Sequence, residues 1–83
     1  MTFVARLSHT AAKQLDRLDA GLSNRIRARI REVALSPYDP RISKALKSHP
    51  GRRARVGGWR IIYSVNTTDG VVEIESIAAR GEA

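Results

Sequence analysis

The sequence predicts an α+β domain, β-α-α-β-β-β in order, with an N-terminal helical hairpin packed on an antiparallel sheet. Three observations predict it. Two stretches of helical apolar spacing stand side by side between residues 8 and 35, with a short break between them. The dodecapeptide RRARVGGWRIIY, residues 52–63, reads as two strands joined at Gly57-Gly58. After a polar turn, residues 71–79 supply one more apolar-rich strand. Nothing marks a domain boundary, an internal repeat or a low-complexity tract, so residues 1–83 form one domain.

At the start of the chain, Phe3, Ala5 and Leu7 alternate with Thr2, Val4 and Arg6, the period of a half-buried strand. Its expected place is one edge of the sheet, in an orientation the sequence leaves open. Ser8 then offers an N-cap, and Ala11, Leu15 and Leu18 follow at helical spacing while Lys13, Asp16 and Arg17 face outward. Asp19-Ala20-Gly21 is expected to end this helix on its glycine. The second helix, from about Leu22 to Leu35, carries Leu22, Ile26, Ile30 and Val33 on one stripe, flanked by arginines and stopped by Ser36-Pro37. So short a break makes the pair an antiparallel hairpin, and its joint apolar stripe needs a sheet to cover. Residues 36–51 hold three prolines and only Ile42, Ala45 and Leu46 as anchors in their polar part, so they read as an ordered loop or one helical turn. Asn66-Thr67-Thr68-Asp69-Gly70 is a strong turn before the last strand.

Within the hairpin, a two-residue Gly-Gly turn, whose glycines can both take positive φ, sets Val56 against Trp59, Arg55 against Arg60, Ala54 against Ile61 and Arg53 against Ile62. Opposed residues share a face, and so do residues two apart on a strand. Arg53, Arg55 and Arg60 therefore point one way, and Trp59 and Tyr63 point the other, toward the expected core. Like charges directly across a ladder cost up to about 1 kcal/mol. An anion on that face removes the cost. Glu73 and Glu75 are expected to share a face of the last strand, and on the arginine face they would mask it.

Fifteen Lys or Arg against eight Asp or Glu leave a net charge of +7, which favours a polyanionic partner. Arg41, Lys44, Lys47, Arg52, Arg53, Arg55 and Arg60 crowd the central third, and Arg25, Arg27, Arg29 and Arg31 precede them on the second helix, mostly as its solvated flanks. Four aromatics are few for a stacking platform on long single strands. The absence of cysteine excludes disulfides, thiolate catalysis and Cys-based zinc sites, and fits a reducing, cytoplasmic setting. No run reaches the ~20 apolar residues of a membrane span, and the start lacks the pattern of a signal peptide. No metal and no cofactor are expected.

The order of elements, the Pro-interrupted basic loop, the R-x-R-V-G-x-W-R-I-I-Y segment and a closing strand ending Ile77-Ala78-Ala79-Arg80 together resemble the RelE/ParE superfamily of toxins from type II toxin–antitoxin systems. The resemblance spans nearly the whole chain and is strongest over residues 53–65. It implies a RelE-like fold, a cognate antitoxin as partner in a hetero-oligomer and, in the RelE branch, a ribosome-dependent endoribonuclease that cuts mRNA in the A site. On that likeness Arg53, Arg55, Arg60 and Arg80 are the catalytic candidates, holding and stabilising the scissile phosphate. Arg52, Lys44, Lys47 and His49 are expected to contact RNA beside them. That branch continues past its last arginine into a segment with a tyrosine involved in cleavage, whereas Gly81-Glu82-Ala83 follow Arg80 here. Three possibilities stay open: a truncated chain, a lost group, or a branch with another target. A ParE-like inhibitor of DNA gyrase and a catalytically impaired, antitoxin-binding relative are the alternatives.

Cleaving RNA with its own 2′-hydroxyl needs a base, an acid and cations for the charge that builds on phosphorus. Arginine suits the third task, because its planar fork meets two phosphate oxygens and stays charged. It is unsuited to the others, with a pKa above about 12. His49, in the basic loop, is the candidate proton donor. His9 reads as a helix-start surface residue, and Ser8, Ser23 and Ser36 as caps and turns.

Overall fold

A computed structural model describes residues 2–79. Its elements are β1 (Val4–Leu7), α1 (His9–Asp16), α2 (Ala20–Leu35), β2 (Ser43–Ala45), β3 (Arg52–Val56), β4 (Trp59–Asn66) and β5 (Val71–Ala79). The predicted α+β architecture is present, with two helices packed on one face of a sheet of order β1-β5-β4-β3-β2. Two features differ from the sequence expectation. The basic loop contains a fifth strand, β2, antiparallel to β3, and β1 runs parallel to β5, which makes the sheet mixed.

The helices form where their caps and stripes predict. Ser8 Oγ accepts from Ala11 N at 2.9 Å to start α1, and also donates to Glu75 O at 2.8 Å, so one hydroxyl caps the helix and ties it to β5. Asp19 is the N-cap of α2, its Oδ1 accepting from Leu22 N at 2.9 Å. That corrects the expected end of the first helix: α1 stops at Asp16, and Gly21 lies inside α2. The capping bond of Asp19 outcompetes a glycine stop, and Gly21 keeps negative φ. Ala11, Leu15, Ile26, Ile30 and Val33 bury their stripe against Ala54, Ile61, Tyr63, Val72, Ile74 and Ile77. Each fully buried aliphatic or aromatic side chain stabilises the fold by roughly 1.5–3 kcal/mol.

The hairpin has the predicted register, Arg55 opposite Arg60 and Val56 opposite Trp59. Only Gly57 takes positive φ, at 57°, the φ signature of a type II′ turn rather than one that needs both glycines. Between β4 and β5 the ladder slips: Ile62 pairs with Ser76 but Tyr63 with Ile74, which leaves Glu75 as an extra residue in a bulge. Side chains of the first helical segment satisfy the disturbed backbone. Ser8 takes Glu75 O, and Gln14 Oε1 accepts from Ile77 N at 2.6 Å.

The loop before β3 is anchored by buried polar groups. Tyr63, with no exposed surface, donates its hydroxyl to Pro37 O at 2.6 Å. Ser43 Oγ donates to the same carbonyl at 3.2 Å and accepts from Arg52. Gly51 is equally constrained, because a Cβ there would lie 2.7 Å from Tyr63 O and 2.9 Å from His49 Nδ1. Gly51→Ala should destabilise the domain by about 1–3 kcal/mol, since backbone must move to admit the methyl. A thermal melt checks this, and an unchanged melting temperature would refute the close approach.

Candidate nucleic-acid interface

Alternation along β3 and β4 sends Ala54, Val56, Ile61 and Tyr63 into the core and Arg53, Arg55 and Arg60 to the face away from the helices. Lys44 on β2 pairs with Arg53, which extends this basic row to the sheet edge. Around it the same face carries Ile62, Ser64, Ser76 and Ala78. The row sets three forked guanidiniums and one ammonium on a hydrogen-bonded ladder, a donor set suited to phosphate oxygens. Arg80 lies outside the described residues.

Of the acidic side chains of β5, Glu73 opposes Ser64 and so shares the face of the arginine row. Glu73 meets Arg6 at 3.2 Å, an exposed pair that adds little stability, and Glu75 faces His49 Nε2 at 3.7 Å. His49 Nδ1 accepts from Gly51 N at 2.9 Å, so the neutral ring carries its proton on Nε2, toward the carboxylate. Gly51 precedes Arg55 by four residues, roughly 13 Å along an extended strand. His49 is therefore held at the opposite end of β3 from the Arg55–Arg60 pair.

Arg52 does not join the arginine row. It shares the face of Ala54, half-buried, with Nε and Nη2 donating to Ser43 Oγ at 3.2 and 2.9 Å and its guanidinium 5.3 Å from the Tyr38 ring centroid. Strand alternation turns it from Arg53, so the RNA contact expected of Arg52 would lie on the other face from the row, beside Ser43 and Tyr38. Lys47 is exposed in the loop after β2.

The structure adds cations that sequence reading left as helix flank or loop. Arg29 of α2 and Arg41 meet Lys44, Arg53 and Arg55 around a shallow cleft of about 250 Å³. Arg29 pairs with Glu32 at 3.6 Å, and Arg41 with Asp39 at 2.9 Å. Hydrogen bonds from the Arg41 side chain and backbone hold the Asp39 carboxyl below its ordinary pKa. The signal for Arg29 was its place beside Ile30, at the border of the buried stripe.

The sequence matches the family of ParE toxins of type II toxin–antitoxin systems, parDE, over residues 5–83. The chain belongs to the RelE/ParE superfamily of type II toxins. Its fold is shared with solved members. A chain of the archaeal RelE–RelB complex from Pyrococcus horikoshii OT3 is 29% identical, with all of both chains covered and a TM-score of 0.78. A chain of the intact E. coli RelBE toxin–antitoxin complex is 20% identical over 98% of this chain and 99% of that one, with a TM-score of 0.83. The YoeB/ParE toxin from Agrobacterium tumefaciens is 16% identical over 94% and 99%, with a TM-score of 0.80. No curated relative matches the chain at the sequence level. Among the described residues of this toxin, no helix is long and apolar enough to cross a membrane.

Proposed function

We propose that this toxin is a RelE-type endoribonuclease that cuts mRNA in the ribosomal A site and is restrained by a cognate antitoxin. The observation that carries the reading is the convergence of Arg53, Arg55 and Arg60 on one rigid sheet face, in a chain with a net charge of +7. These arginines orient the RNA backbone and stabilise charge on the scissile phosphate, with Arg80 completing the set. Proton transfer is left to water, the substrate or the ribosome, because the guanidiniums stay charged and His49 is committed to Gly51 and Glu75. The antitoxin is expected to be acidic and amphipathic, complementary to a small basic domain.

A second reading, inhibition of DNA gyrase, is favoured by the match to ParE toxins over residues 5–83. The two separate in one experiment, in which purified toxin is added to a translating extract and, in parallel, to gyrase with relaxed plasmid. Cuts within codons of translated messages, with supercoiling intact, are the expected result. Intact messages with blocked supercoiling would reverse the assignment.

A further inference from the structure

We infer that the cleft where β2 meets β3 is a second phosphate subsite for single-stranded RNA, with Arg29 and Arg41 as its distinguishing ligands. The inference rests on the endoribonuclease reading and adds a direction to it. RNA lying on the arginine row would leave the sheet over β2, toward α2, instead of ending at Arg53.

Three features support the subsite. First, five cationic residues from α2, the 36–42 loop, β2 and β3 border one cleft, where Arg29 and Arg41 are each oriented by one carboxylate, Glu32 and Asp39. On a chain with a net charge of +7, a phosphodiester bound there meets a positive field. Second, the donors are pre-oriented. Arg41 spends Nε and Nη2 on Asp39, at 3.2 and 2.9 Å, and keeps the rest of its five N–H groups for another acceptor. Asp39 in turn accepts from Arg41 N, and its carbonyl accepts from Ser43 N and Ile42 N, so the loop holds one shape. Buried Ser43 anchors that shape through Pro37 O. Third, the cleft is continuous with the arginine row, because Arg53 and Arg55 belong to both.

The chemistry favours RNA over an acidic protein segment. An amphipathic helix needs a groove that accepts its apolar stripe, and five of the eight residues that border this cleft are Arg or Lys, with Pro40 and Ile42 as its apolar part. Forked donors at several angles match phosphate oxygens along a backbone.

The test uses the full chain and a fluorescein-labelled single-stranded RNA of about ten nucleotides, within the usual site size for such strands. Binding is followed by anisotropy across a salt series. Each phosphate contact contributes about −0.7 to the slope of log K against log salt for single strands. The double variant Arg29→Ala with Arg41→Ala should bind with a slope shallower by about 1.4. Arg41→Ala alone, at a side chain 87% exposed, should lose about half of that and guards against misfolding of the double variant. The control removes the same charge from exposed α2 positions outside the cleft, Arg25→Ala with Arg27→Ala, and should leave the slope unchanged. Equal slope changes in both doubles would reduce the effect to net charge and overturn the subsite. Wild-type slope in the cleft double would also overturn it while leaving the endoribonuclease reading intact. Loss of antitoxin binding alone, with RNA binding unchanged, would reassign the cleft to protein. Absence of RNA binding by the wild-type chain would overturn the subsite, while the endoribonuclease reading stands or falls on cuts in the translating extract.

Discussion

Arg60→Ala should lower cleavage of translated messages by about 10²–10³-fold, the usual cost of removing one pre-oriented donor to developing transition-state charge. The effect should fall on the chemical step. Arg60 sits directly across from Arg55, so both can reach one phosphate from adjacent strands. Its side chain points away from the core and is half-buried, so a melt run beside the cleavage assay shows whether the fold is retained. Loss of activity with the fold retained separates a functional arginine from a structural one. Arg60→Lys sharpens the test, because an ammonium keeps the charge but loses the fork. Intermediate activity is expected from lysine. In a cleaving wild type, full cleavage by Arg60→Ala would remove the row from the mechanism.

The second large effect concerns stability. Tyr63→Ala should cost about 3–5 kcal/mol, the range for truncating a buried aromatic. The ring has no exposed surface and belongs to the core cluster with Ile26, Ile30, Ile61 and Ile74. Domains have total stabilities of only about 0.05–0.15 kcal/mol per residue, so a chain of 83 residues is brought close to unfolding. Tyr63→Phe isolates the hydroxyl. It keeps the ring but removes the 2.6 Å bond to Pro37 O, with an expected cost of about 1–3 kcal/mol, the range for leaving one partner of a buried bond unmade. Ser43 Oγ also donates to that carbonyl, which places the phenylalanine variant at the lower end. Each kilocalorie shifts the melting temperature of a domain this size by about 4–8 °C. A Tyr63→Ala melt within a few degrees of wild type would contradict the buried position.

Tyr63 and Arg60 also show how much of the molecule was readable in advance. The Gly57-Gly58 turn permits one tight register, and alternation then sends Arg60 outward and Tyr63 inward without reference to the rest of the chain. The same alternation turns Arg52 away from Arg53, although the family likeness set it beside Arg53 as an RNA contact. Its partners, Ser43 and Tyr38, come from a loop whose path is set by three prolines and buried hydrogen bonds. Gly21 misled for a related reason. Glycine signals a helix end, but the neighbouring Asp19 caps the next helix and determines the outcome locally.

By itself, the sequence determined the two helices, the hairpin register, the core stripe and the arginine row, because each depends on interactions between residues near one another in the chain. The parallel pairing of β1 with β5, the short β2, the bulge at Glu75 and the cleft joining Arg29 to Arg41 were decided by tertiary structure. These bring together segments as much as 67 residues apart, as in the Arg6–Glu73 pair. Their geometry depends on which backbone groups remain unpaired once the helices cover the sheet. Short-range periodicity carries no record of that choice, which arises from packing and hydrogen-bond satisfaction across the whole fold.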